Sequence, residues 1–257
     1  MRRLLFDPIN LAASGFALSL LVAWQLLADA HVISPIFFPS PARTIEVLRY
    51  RAFDGSLWVS LASTALRMVT GWMLASAIGI AVGAAIGSSR IAGALLNPTL
   101  EFIRPLPASA VIPVAVLFLG LSNAMSLTVV AFGAVWPVLL ASVHGFSSVS
   151  PQLTDVSHVL GFKRRDFIRK VALPSALPDI VAGLRVSLAL ALILTVVTEM
   201  QSSLPGLGWD IFFAQRSYRS ADLYAGLVLL ALLGFSANHL ILFFERRALR
   251  WRNASTQ

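Results

Sequence analysis

Cysteine is absent from this 257-residue chain, which excludes disulfides and thiolate metal or redox centres. Charge is scarce: Asp, Glu, Lys and Arg are 12% of the residues, against about 25% in an ordinary soluble domain. Lysine is rarer still. Lys163 and Lys170 are the only two, followed by Arg164 and Val171, so no G-x-x-x-x-G-K-[ST] phosphate loop can be built. Any energy from ATP must be borrowed. His31, His144, His158 and His239 are scattered without metal-ligand spacing, and no nucleophile–base arrangement stands out. No catalytic residue and no metal ligand is assigned.

What is present is largely apolar: 57% of the residues are hydrophobic and the mean hydropathy is +0.80. A net charge of +8 raises nucleic acid as a partner. The basic residues fall instead in short clusters between apolar stretches, the mark of membrane topology, so lipid is the expected surroundings and nucleic acid is not a partner. The apolar runs are continuous rather than short and alternating, which selects helices over a β-barrel. The expected fold is all-α: a polytopic membrane helical bundle in one domain over 1–257. About six transmembrane helices are expected, near 9–29, 58–88, 105–120, 123–146, 178–201 and 222–245. The first is long enough to be a retained span rather than a signal peptide. Residues 120–126, "GLSNAMS", mark a turn within the charge-free window 105–154.

With the N-terminus inside, cytoplasmic segments hold thirteen Lys and Arg residues, including Arg2, Arg3, Arg90, Arg104, Arg246, Arg247, Arg250 and Arg252; outer loops hold five, Arg43, Arg49, Arg51, Arg216 and Arg219. That bias predicts both termini in the cytoplasm. Residues 41–54 predict a short amphipathic helix on the outer surface, with Ile45, Val47 and Leu48 toward the membrane. In the second span Gly71, Ala75, Gly79, Gly83 and Gly87 recur every four residues. Such a stripe lets another helix approach closely, either as bundle packing or as a pathway or subunit interface that slides. Pro105, Pro107, Pro113 and Pro137 interrupt the helical ladder of the third and fourth spans, as in a transport bundle.

The loop 150–176 carries Lys163, Arg164, Arg165, Arg169 and Lys170. Thr154 is expected to cap a helix, with Asp155 against its dipole, and Gly161 to turn the chain. A second short helix is expected to follow and to end at Pro174, with Pro178 opening the next span. Phe162 and Phe167 among these charges suggest a docking surface with aromatic anchors.

Two charges lie deep in spans. Arg67 is about 21 residues, or roughly 31 Å, from the inner end of its helix, and Glu199 is similarly far from the start of its own. Both sit near the outer edge at similar height. They can form a salt bridge bracing an outer gate, or each snorkel to outer water, or Arg67 can attract an anionic solute. Arg185, about two turns into its span, is expected to reach headgroups or the loop region.

The stretch "TDVSHVLGFKRRDFIRKVALPSALPDIVAGLR" resembles the EAA loop of the membrane subunits of bacterial ABC importers. Asp155, Val156 and Ser157 occupy the E-A-A positions, Gly161 the glycine, and Leu173 and Pro174 the Leu-Pro ending. Asp replaces Glu and Val-Ser replaces the two alanines. "FFPSPARTIEVL", "SLASTALRMVTGWMLASAIGIAVGAAIGSS", "LNPTLEFIRPLPASAVIPVAVLFLG" and "LPGLGWDIFFA" are similar to the nitrate, sulfonate, taurine and bicarbonate branch, so the resemblance covers most of residues 30–250. It implies a non-catalytic permease subunit in the bacterial inner membrane that binds no cofactor, the ATP and Mg being used by its partner. Implied partners are a cytoplasmic ABC ATPase dimer docked on the loop, a second permease copy forming a homodimer, and a periplasmic or lipid-anchored solute-binding protein. The implied solute is small and anionic or zwitterionic. A self-sufficient channel or secondary carrier of organic anions shares the composition. A membrane-embedded enzyme would need polar residues at the midplane, where the window 105–154 has no charge.

Overall fold

The computed structural model describes residues 8–30, 34 and 36–249, with side chains from residue 15 onward. Arg2, Arg3, His31, Arg250 and Arg252 lie outside the described residues, as do both chain ends, on which the expected cytoplasmic termini turn.

The described chain is helical, with no strand among the described residues. Its first two helices are α1 (Pro8–Asp29) and α2 (Pro41–Phe53). Ser40 starts α2 by accepting the Arg43 N–H, with Pro41 in the first turn, where its missing N–H costs nothing. The Trp24 indole donates to the Pro39 carbonyl at 3.0 Å, and Trp24, Phe38 and Tyr224 gather their rings, which ties α1 to the start of α2 and to the last helix. Then come α3 (Ser56–Gly87), α4 (Arg90–Ile103), α5 (Ala108–Leu119) and α6 (Asn123–Ser147). The loop region holds α7 (Pro151–Val159), α8 (Arg164–Phe167) and a π-helical turn at Ile168–Ala172. The chain ends in α9 (Leu173–Ser202), α10 (Leu207–Arg216) and α11 (Ser220–Ala248).

Four stretches are long and apolar enough to cross a bilayer: Ser56–Gly87, Asn123–Ser147, Arg164–Ser202 and Ser220–Ala248. The segment expected as a third straight span, 105–120, is different. There α5 has only 12 residues, about 18 Å, and it meets α4 at a bend of 92°. Pro105 and Pro107 fall in the break, where two missing N–H groups and two ring clashes stop the ladder. Pro113 and Pro137, by contrast, sit inside helices that continue. The turn at 120–126 holds Gly120 at φ +65°, followed by Ser122 capping α6 on the Met125 N–H.

Helix α6 is the centre of the bundle, with α3 against one side and α9 against the other. Gly71, Gly79, Gly83 and Gly87 all face α6. A Cβ on Gly83 would lie 2.7 Å from the Leu139 carbonyl oxygen, and one on Gly87 2.7 Å from that of Val143. On the other side a Cβ on Gly183 of α9 would lie 2.8 Å from the Pro137 oxygen. No side chain fits such gaps, so backbone packs on backbone, and the stripe is occupied within the chain. The core around it is small and apolar: Met68, Ala75, Val130, Ala134, Leu188 and Ala191.

Two local expectations are corrected. Ser150, not Thr154, caps α7, accepting the Leu153 N–H with Pro151 in the first turn. Pro174 does not end a helix. The π turn shifts the ladder, the Leu173 N–H reaching the Ile168 carbonyl five residues back, and Pro174 then sits in the first turn of α9. A π turn admits the proline where a plain α-helix would clash at residue 170. Helix therefore runs from Arg164 to Ser202 as one 39-residue unit.

Gly83→Leu is expected to lose about 1–3 kcal/mol by overpacking α3 against α6, seen as a lower unfolding temperature in detergent. Gly15→Leu, at a position with nothing within 4 Å, is expected to leave that temperature unchanged.

Candidate functional sites: a buried ion pair and an exposed loop

Arg67 and Glu199 meet in an ion pair at the end of the bundle where α6 begins and α9 finishes. Glu199 is fully buried and Arg67 is 8% exposed. Neither snorkels to water. Burying two charges costs several kcal/mol per ion, roughly, unless their remaining hydrogen bonds are met, and here they are. Thr64 Oγ1 donates to Glu199 Oε2 at 3.0 Å and accepts the Leu207 N–H at 2.8 Å. The Gly208 N–H donates to the same carboxylate oxygen at 2.9 Å. Arg67 Nε donates to Asn123 Oδ1 at 3.1 Å, and Nη2 to the Pro205 carbonyl at 3.3 Å. Ser126 and Thr198 pair their hydroxyls at 2.6 Å.

The segment 204–208, "LPGLG", makes this geometry possible. A side chain on Gly206 would run into the Glu199 carboxylate, and a Cβ on Gly208 would lie 2.6 Å from the Val196 carbonyl oxygen. Only glycine lets this loop close over the acid. Glu199 thus lies at the N-terminus of α10, where a carboxylate is favoured. The cluster ties α3, α6, α9 and α10 at one point. Every Arg67 guanidinium nitrogen is engaged by a partner within the chain. No group of three or more His, Asp or Glu able to hold a metal occurs among the described residues.

Depth arithmetic placed Arg67 and Glu199 at one height, but Thr64, Asn123, Gly206 and Gly208 carried no signal that sequence reasoning used. Two further pairs between distant parts of the chain were missed. Arg51 of α2 pairs with Asp210 of α10. Arg185 pairs with Glu245 of α11 instead of reaching headgroups or the loop, a correction that only the proximity of α9 and α11 could supply.

At the opposite end lies the loop. Helix α7 ends in a Schellman motif: the Phe162 N–H bonds the Ser157 carbonyl and the Gly161 N–H bonds that of His158, both at 3.0 Å. Gly161 has φ +69°, the left-handed conformation this motif needs. Ser157 is buried and donates to the Thr154 carbonyl. Asp155, Lys163, Arg164 and Arg165 are exposed, as is Leu173, while Pro174 is half-buried. The two phenylalanines behave differently from free anchors. Phe167 packs with Ile168 against Phe146, Ala172, Ala176 and Ile180, inside the chain's own core. Phe162 is half-buried, with Lys170 Nζ 5.2 Å from its ring centre. The exposed apolar surface is on α7: Leu153, Val156 and Leu160 fall on one stripe, and Val159 beside it is 88% exposed.

The comparisons with known proteins agree on one family. Residues 75–250 match the family described as binding-protein-dependent transport system inner membrane component. The chain belongs to that family. Among members, it is 30% identical over 235 residues to the SsuC permease protein of Bacillus subtilis, whose name assigns it provisionally to aliphatic sulfonate transport; the match covers 91% of this chain and 85% of that one. It is 29% identical over 237 residues to the taurine transport system permease protein TauC of Escherichia coli, covering 90% and 86%. It is 28% identical over 254 residues to the bicarbonate transport system permease protein CmpB of Synechococcus elongatus, covering 95% and 91%. Two solved structures share the fold. One is an inward-facing MetNI methionine ABC transporter, with TM-score 0.60 and 23% identity over 75% of this chain and 95% of that one. The other is an amino acid ABC transporter, with TM-score 0.61 and 16% identity over 78% and 97%. The protein is therefore a membrane component of a transport system in this family.

Glu199→Ala is expected to cost about 3–5 kcal/mol by leaving Arg67 buried and unpaired. The double variant Arg67→Met/Glu199→Leu is expected to lose less than the two single changes summed. Unfolding in mixed micelles measures the coupling.

Proposed function

We propose that this chain is the permease subunit of an ATP-driven ABC importer in the bacterial inner membrane, working as a pair of copies with a cytoplasmic ATPase dimer. A periplasmic or lipid-anchored binding protein delivers a small anionic or zwitterionic solute of the sulfonate, taurine or nitrate kind. The family and the names of its members support the class of solute.

One observation carries the mechanism: a single continuous helix joins the exposed loop to the buried ion pair. Arg164–Ser202 has 39 residues, about 58 Å of rigid rod. At its near end Gly161 bends the chain away from α7, whose apolar stripe has no partner within the chain. At its far end Glu199 grips the start of α10 through the Gly208 N–H. A push on α7 enters the rod at the Gly161 turn, and Phe167 and Ile168 in the rod's first turns couple it to α6 and the base of α9. The rod shifts Glu199 relative to Arg67 and Thr64 of α3, and α10 moves with it. The basic residues put the loop in the cytoplasm and α10 at the periplasmic face. In this scheme Val156, Val159 and Leu160 dock the ATPase, Arg164 and Arg165 steer it, and Phe167 transmits the motion.

The scheme separates two residues that a simple docking patch would treat alike. Val159→Arg/Leu160→Arg is expected to cut co-purification of the ATPase about tenfold or more without changing the permease's own unfolding temperature. Phe167→Ala is expected to lower that temperature. Proteoliposomes holding permease, ATPase and binding protein should take up solute only with ATP. Uptake by the permease alone would replace this proposal with the self-sufficient carrier.

A further inference from the structure

An importer needs a place where the arriving solute first meets the chain, and one cleft at the α10 end has the composition for it. Its volume is about 690 Å³, and Ile36, Phe37, Phe212, Gln215, Arg216 and Tyr218 are among its walls. A ligand-sized cleft with apolar walls and a few polar groups is the usual form of a small-molecule site. Arg216 lies at the last turn of α10 with its guanidinium carbon 4.5 Å from the centre of the Phe212 ring, which holds the cation in place.

Charge pairing and position together point to this arginine: Arg43 and Arg49 on α2 are likewise in no ion pair among the described residues, but of the three only Arg216 lines the cleft. Arg51, Arg67 and Arg219 are each matched with an acid, namely Asp210, Glu199 and Asp222. Arg216 has no carboxylate partner among the described residues, and neither Asp nor Glu lines the cleft. The backbone beside it is strained. Tyr218 has φ +55°, a conformation that bulky residues rarely adopt. The turn that fixes it is closed by the Arg219 N–H bonding the Ala214 carbonyl at 2.9 Å. This is the left-handed position of a Schellman cap on α10, the Tyr218 N–H also bonding the Gln215 carbonyl at 3.3 Å, and it sets an exposed phenol on the rim of the cleft.

We infer that this cleft binds the sulfonate or carboxylate head of a small organic anion, with Arg216 as its charge partner and Phe37 and Phe212 against its apolar body. The inference deepens the importer proposal and rests on it. It also orders the solutes. A zwitterion brings an ammonium that finds no carboxylate here, so an anion without an amine binds better than taurine.

The test uses the complete transporter in phosphatidylcholine nanodiscs without ATP or binding protein, with ethanesulfonate, taurine and neutral diethyl sulfone as probes in saturation-transfer NMR. Ethanesulfonate should give a saturable signal, taurine a weaker one, and the sulfone none. Arg216→Gln should weaken ethanesulfonate binding about tenfold or more, the worth of a charge-assisted hydrogen bond. Arg216→Lys should retain part of it, and Arg49→Gln, an exposed arginine on α2, should retain all of it. Equal binding by wild type and Arg216→Gln, or no saturable signal, overturns the inference. Loss of the signal when phosphatidylglycerol is added assigns the cleft to a lipid headgroup and overturns it too. Because the assay requires neither ATP nor uptake, its failure leaves the importer proposal standing, and failure of ATP-dependent uptake is read separately.

Discussion

Inside a bilayer an apolar side chain gains little by exchanging lipid for protein, so helices stay together by close contact rather than by the hydrophobic effect. The whole bundle depends on that constraint being met at α6. Glycines on α3 and α9 let their backbones approach it from both sides, at Gly83, Gly87 and Gly183 so closely that a Cβ would collide with a carbonyl oxygen. Once these three helices are fixed, the two ends of the bundle are set. The loop hangs from the α6–α9 end, and α10 lies over the opposite end, where α6 begins.

The buried ion pair belongs to a second level of organisation. Packing alone would allow α10 many positions, since it has ten residues and follows a loop. A carboxylate with no water around it tolerates few. Glu199 takes the Arg67 charge, the Thr64 hydroxyl and the Gly208 N–H together, the first two from α3 and the third from α10. The result is a joint with polar specificity at the end of a long apolar rod. Such a joint suits a protein whose outer helix has to move with the rod and not drift on its own.

The loop at the other end shows how little of a docking motif rests on its most visible residues. Five basic residues mark it in the sequence, yet the Schellman turn at Gly161 and the apolar stripe on α7 define its shape and its exposed surface. Of the phenylalanines that a sequence reader would assign to the partner, Phe167 packs on the chain's own core, while Phe162 is half-buried with Lys170 over its ring. Phe167 links the loop to the core beneath α9, a position better suited to passing on motion than to gripping another protein.

Much was legible in the amino-acid sequence because it depends on composition and local periodicity. The scarcity of charge, the long apolar runs and the absence of a phosphate loop determined a helical membrane subunit without its own ATPase motif. The bend at Gly161 is likewise local, since φ freedom acts within a residue; the four prolines signalled interruption alike, and only the structure put the break at Pro105 and Pro107. The tertiary structure decided what depends on residues far apart in the chain. Arg67 and Glu199 are 132 positions apart and Arg185 and Glu245 are 60 apart, so nothing local could pair them. Whether the glycine stripe faced its own chain or another, and whether Phe167 pointed in or out, turned on which helix lay opposite. A stripe or a ring carries the same local signal in either case, and only the packing of α6 between α3 and α9 chose between them.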